Sequence, residues 1–179
     1  MAIWSPSVRG VVPGSDPNIA AIELTYHGPT AQLAALASGD MRSQVGLKLR
    51  AEDSCNLVYV MWRLEPTPAI AVQVKRNAGQ TRHEQCGTAG YARVRPAEQH
   101  TPPRLIPDSS HRLAATIDGV ELTVWADHEL VWRGTLPASA GDLHGAAGFR
   151  TDNVALDLAM HAHQIRGRDP AAAPCSAEH

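Results

Sequence analysis

The sequence has no apolar run approaching the ~20 residues of a membrane-spanning helix, which argues against an integral membrane protein. It also lacks a basic excess. Its 16 Lys+Arg stand against 18 Asp+Glu, a formal charge of −2, whereas a dedicated nucleic-acid binder carries a strong positive balance. Cysteine is scarce, with only Cys55, Cys86 and Cys175, and there is neither a CxxC pair nor a Cys/His array at zinc-finger spacing. The Gly-x-Ser-x-Gly elbow, the GxxxxGK[ST] phosphate loop and the HExxH zinc motif are all missing. The amino terminus, Met-Ala-Ile-Trp-Ser-Pro, lacks the basic patch and apolar stretch of a signal peptide; secreted and cytoplasmic locations both stay open.

What is present suits one folded domain. A chain of 179 residues buries roughly 70% of its extended surface, enough for a single core without staples. The recurring pattern is period two, which places alternate side chains on opposite faces of a strand. Val45, Leu47 and Leu49 alternate with Gly46, Lys48 and Arg50. Leu57, Tyr59, Met61 and Arg63 oppose Val58, Val60, Trp62 and Leu64, and Ile70, Val72 and Val74 oppose Ala71, Gln73 and Lys75. Alternation returns at residues 112–117, 120–126, 130–133 and 154–160, and residues 23–26 read as a further strand. Asp118-Gly119 is a hairpin signal, and Asp127-His128 a second turn. Residues 76–110 read as a long loop or irregular edge, and residues 30–38 as a short helix between Thr30 and Gly39. The fold expected is an all-β, two-sheet antiparallel jelly-roll sandwich over residues 1–166, with at most one short helix. Residues 167–179, rich in proline and small residues, read as a mobile tail. Cys55 opens a strand and Cys86 sits in a glycine-containing loop, so a disulfide between them and a pair of buried thiols are both open readings.

The stretch 111–158 carries a family likeness. It runs from His111 through the Asp118-Gly119 hairpin to a strand ending Val124-Trp125-Ala126, a second turn, Gly145-Ala-Ala-Gly148, and a last strand from Val154. This resembles the closing strands of concanavalin A-like jelly rolls, in the laminin-G-like and 3-keto-disaccharide-hydrolase-like branch. Gly145 and Gly148 are expected to let the chain bend between sheets, and Asp152 and Asn153 to bond backbone amides at the corner. The superfold hosts lectins, glycosidases and adhesion modules, so the likeness implies the fold more than the activity.

A retaining glycosidase needs two carboxylates about 5–5.5 Å apart, and related glucanases set them as Glu-x-Asp-x-x-Glu on one strand. That spacing is absent here; Glu121 and Asp127, which flank Trp125, are the nearest acid candidates. His161-Ala-His163 puts two imidazoles on one strand face without a third ligand, so no metal is expected, and no motif supports calcium or another cofactor.

A binding face is better supported. With the aliphatic residues inward, Lys48, Arg50, Tyr59, Arg63, Gln73 and Lys75 share one outward sheet face, and Trp125 falls on the polar phase of its own strand as an exposed platform. Trp62 and Trp132 are read as core, and Trp4 as a cap on the sandwich. Planar aromatics beside hydrogen-bond donors suit sugars, and the basic tilt favours an acidic glycan or another anion. A plain solvated face is the alternative. The leading reading is a non-catalytic, lectin-like carbohydrate-binding module. A glycoside hydrolase and a laminin-G-like module docking a protein partner are the others.

Overall fold

The computed structural model describes residues 1–163. The proposed boundary at residue 166, the tail 167–179 and Cys175 lie outside the described residues. Thirteen strands form two antiparallel sheets. The seven-stranded sheet runs β1 (Ala2–Ile3), β13 (Val154–His163), β3 (Ile19–Pro29), β9 (Ser110–Asp118), β10 (Glu121–Ala126), β11 (Glu129–Thr135) and β8 (Glu98–Gln99). The six-stranded sheet runs β2 (Ser7–Val11), β12 (Ala146–Asp152), β4 (Gln44–Ala51), β5 (Leu57–Arg63), β6 (Ala69–Lys75) and β7 (Tyr91–Arg93).

The alternation predicts the packing because each strand commits one phase to the space between the sheets. Val45, Leu47 and Leu49 of β4, Val58, Val60 and Trp62 of β5, and Val72 and Val74 of β6 meet Ile22, Leu24, Leu113, Leu122, Val124 and Leu156 of the other layer in one core. Trp132 is buried as expected. The strands of residues 44–51, 57–63, 69–75 and 154–163 fall where the sequence places them.

Several local expectations are corrected. No helix forms at residues 30–38. Thr30 Oγ1 donates to the carbonyl of Gln32, and Asn153 takes both the N–H and the C=O of Ala34, so the local backbone never closes a helical turn. Two four-residue helices occur instead, α1 (His83–Cys86) and α2 (Ala138–Gly141), one more than expected. The hairpin after β9 turns on Gly119 and Val120, with Asp118 already paired to Glu121; only Gly119 takes a left-handed φ, +59°. Residues 76–110 are less irregular than expected, because β7 and β8 extend one edge of each sheet. Gly145 and Gly148 do not serve as bends. A Cβ at Gly145 would meet the carbonyl of Ala51, and one at Gly148 would meet the carbonyl of Gly10, so both are small because neighbouring backbone lies against them.

Trp4 does not cap the sandwich. It is 64% exposed and stacks on His27, ring centroids 5.5 Å apart. His27 is the extra residue of a β-bulge, since Tyr26 pairs with Leu156 while Gly28, at φ +111°, pairs with Ala155. Its imidazole is held between Asp108 (3.0 Å) and Asp157 (3.1 Å). The hydrogen bonds to Asp108 and then Asp157 raise its pKa above the ordinary 6.5. A raised histidine pKa contributes stability that is fully present below the unfolded value and is lost as pH rises through the folded one. Trp4 emission should therefore titrate with a midpoint above 6.5, and the transition should vanish in His27→Gln. A midpoint at or below 6.5 would contradict this assignment.

Candidate functional site

The outer face of the six-stranded sheet carries a groove of about 440 Å³. Its floor comes from alternate residues of adjacent strands. Arg9 pairs in register with Arg150, Lys48 with Tyr59, and Tyr59 with Gln73, so side chains distant in sequence stand in rows across the sheet. Tyr59 and Met61 belong to a small apolar cluster on this outer face, separate from the main core. Tyr91 of β7 stacks near Tyr59, centroids 6.1 Å apart, and forms the rim.

Two loops wall the groove. Residues 36–42 form the first, closed by Leu36 N–H to the carbonyl of Asp40 (2.8 Å) and by Arg42 to Asp40 (2.7 Å). Asn153, held at φ +57°, anchors it from below by donating to the carbonyls of Ala34 and Arg42 and accepting from Ala34 N–H. Asn153 thus does bond backbone, but that of a distant loop rather than its own corner. The second wall is α1 with Gly87 and Thr88. A disulfide joins Cys86 to Cys55 and ties this wall to the start of β5.

Beneath the floor lies a buried ionic cluster. Asp152, 1% exposed, accepts from Arg150 Nε (2.8 Å) and Nη2 (3.2 Å), from Gln44 Nε2 (2.6 Å) and from Ser7 Oγ (3.5 Å). It therefore serves side chains, not the backbone amides expected of it. Arg150 in turn lies over the Tyr59 ring, 5.4 Å from its centroid. Burial works against the Arg150 charge, but the attraction and hydrogen bonds of Asp152 outweigh it and raise its pKa. Burial, then the neighbouring Tyr91, pushes the Tyr59 hydroxyl up to about 12.

Lys48 stands apart. The residue is 9% exposed, and among the described residues its ammonium has neither a hydrogen bond nor an ion pair. Burial first, then repulsion from Arg9 and Arg150, lowers its pKa. Arg9 is half exposed, with its nearest carboxylate oxygen, on Asp152, 4.0 Å away. The one carboxylate lining the groove is Asp40, already taken by Arg42.

Of the residues expected on this face, Lys48, Tyr59 and Gln73 line the groove together. Arg63 lies on the same strand phase as Tyr59, two residues beyond Met61, and its Nε is buried without a partner. Lys75 stands on this face but does not reach solvent. It is 1% exposed and donates to the carbonyls of Ser54 (3.2 Å) and Gly87 (2.9 Å) and to Cys86 Sγ (3.1 Å), bracing the second wall from below. Arg50 leaves the face: at φ +48° it reaches across the sandwich to the carbonyls of Ala140 (3.0 Å) and Gly119 (2.6 Å). Trp125 is half-buried on β10 of the opposite sheet and takes no part in the groove. Sequence reasoning missed Arg9, Arg150 and Tyr91, and gave Asp152 only a corner role. Arg150 and Asp152 do carry a signal, two residues apart on one strand face.

The acid candidates also separate. Glu121 accepts from Thr135, whereas Asp127 accepts from His111 Nδ1 (2.7 Å) and Arg112 N–H (2.7 Å). They stand at opposite ends of β10, about 20 Å apart at ~3.4 Å per residue, too far for a retaining pair. A larger hollow of about 650 Å³ on the seven-stranded sheet includes Glu23, Arg112, Asp127 and Asp157, but it is more open and its charges are paired with one another or with His27 and His111. His161 and His163 lie exposed on β13, and no group of three metal-ligating side chains occurs among the described residues.

Neither a protein-family model nor a curated protein matches the sequence. Solved structures do match its architecture. A carbohydrate-binding module of Bacillus subtilis superposes with a TM-score of 0.53 at 12% identity, over 84% of this chain and 73% of that one. A tetrameric galectin of the sponge Cinachyrella gives 0.54 at 11% identity, over 88% and 99%. A galectin of Caenorhabditis elegans gives 0.53 at 11%, over 89% and 92%. The chain has the concanavalin A-like jelly-roll fold. In this jelly roll the groove occupies the outer face of one sheet, with Arg9 and Arg150 supplied by the edge strand β2 and its neighbour β12.

Proposed function

We propose that this jelly roll is a lectin-like module that binds a carbohydrate in the groove of its six-stranded sheet, without a catalytic step. The observation that carries the reading is a walled groove that sets an exposed tyrosine ring at its rim beside unspent donors. Sugar rings present apolar C–H faces that stack on aromatics, while their hydroxyls take hydrogen bonds from groups held on rigid strands. Tyr91 supplies the open ring, backed by the buried Tyr59; Gln73, Lys48 and Arg9 supply donors. The fold is shared with galectins and a carbohydrate-binding module, which fits this use.

Tyr91 is the better probe of the two rings, because it is 36% exposed on an edge strand while Tyr59 is buried under Arg150. Tyr91→Ala should weaken glycan binding by about 30-fold, the roughly 2 kcal/mol typical of an aromatic anchor, with folding unchanged; Tyr91→Phe should retain most of it. Titration calorimetry on a ligand first found by glycan array measures both. Undiminished binding in Tyr91→Ala, or chemical-shift changes centred on Glu23 and Arg112, would move the site elsewhere.

A further inference from the structure

The groove's charge narrows the kind of sugar. Resting on the carbohydrate reading above, we infer that the ligand carries an anionic substituent, a carboxylate or sulfate on the ring, seated on Lys48 beside Arg150 and Arg9. Arg9, Arg42, Lys48 and Arg150 line the groove against the single carboxylate of Asp40. Arg42 is spent on Asp40 and Arg150 on Asp152, which leaves the Lys48 ammonium unpartnered and Arg9 only distantly paired.

An unpaired lysine on a strand face ordinarily extends its stem until the ammonium reaches bulk water. Lys48 buries its stem and brings its Nζ to the groove, where no side chain of the described residues pairs with it. Gly148 stands opposite it across β12, Gly46 lies two residues before it, and neither has a side chain. An ammonium without a counter-ion is repelled by the two guanidinium groups that line the groove with it. An anion arriving from solvent would offset that repulsion and gain charge-assisted hydrogen bonds. A bare inorganic anion would fill only a small part of about 440 Å³ and leave the Tyr91 ring uncovered. An acidic sugar meets ring and charge together.

The test is an array of matched pairs, each uronate-bearing oligosaccharide beside its carboxyl-reduced counterpart and each sulfated one beside its desulfated counterpart, followed by calorimetry on any hit. Binding of the acidic member about 10- to 100-fold tighter than its neutral twin is expected, the worth of one charge-assisted bond. Which series responds tells carboxylate from sulfate. Equal binding within pairs would overturn the acidic assignment and leave the carbohydrate reading standing. No binding to any glycan, or equal binding to inorganic polyphosphate, would overturn the carbohydrate reading itself. Lys48→Met should bring the acidic ligand to within about twofold of its neutral twin while the melting temperature holds or rises, because one of three mutually repelling cations has gone. A falling melting temperature with the selectivity intact would make Lys48 a structural residue and sink the proposal.

Discussion

Asp152→Ala is expected to cost roughly 3–5 kcal/mol of stability, the loss that follows removal of one partner from a buried ion pair. The carboxylate is 1% exposed and takes four hydrogen bonds, two of them from Arg150. Without it, Arg150 is left as a largely buried cation facing Lys48 and Arg9, and the amide of Gln44, whose Oε1 is already buried without a partner, loses its donor bond as well. Glycan binding should fall with stability, since Arg150 would no longer lie over Tyr59. The double variant Asp152→Ala/Arg150→Met separates the two effects. Exchanging a whole buried pair for apolar groups is often close to neutral, so most of the stability should return while binding does not. Urea unfolding with an unchanged m-value measures the first, calorimetry the second. A loss below about 1 kcal/mol in the single variant would show that the cluster is hydrated and only loosely coupled to the fold.

This cluster also marks where sequence reading reaches its limit. Strict alternation announced β4, β5 and β6, because a strand with one buried phase has no other way to satisfy its apolar residues. The same alternation placed Lys48, Tyr59 and Gln73 on one outward face. It could not reveal strand order. Nothing local indicates that β12 inserts between β2 and β4, and only that order brings Arg150 and Arg9 beside Lys48. Arg50 and Trp125 failed for different reasons. Arg50 obeys period two on paper, but a positive φ at the end of β4 redirects its side chain. Trp125 has the phase expected of it, on the wrong sheet. Lys75 projects from the correct face yet is covered by α1, a segment that shows no periodicity and owes its position to a covalent bond.

Removing that bond should be the second large perturbation. Cys55 and Cys86 close a loop spanning 31 residues, and loss of that constraint on the unfolded chain costs about 3–4 kcal/mol at 25 °C on the chain-entropy account. The site should suffer beyond its share of the stability. A four-residue helix has no stability of its own, so α1 keeps its place through the disulfide, through Gln85 capping the N–H groups of Thr81 and Arg82, and through Lys75 below. With the bond gone, His83, Gly87 and Thr88 no longer hold the second wall, while Lys48, Arg9 and Arg150 stay fixed on their strands. Cys55→Ala/Cys86→Ala should therefore lower the melting temperature and weaken glycan binding by about tenfold, yet keep the preference for the acidic member of each pair. Reduction of the native chain with dithiothreitol should reproduce both effects without a substitution. If the reduced protein binds as tightly as the oxidised one, the second wall is not part of the site, and the groove's contribution reduces to the charged floor of the sheet.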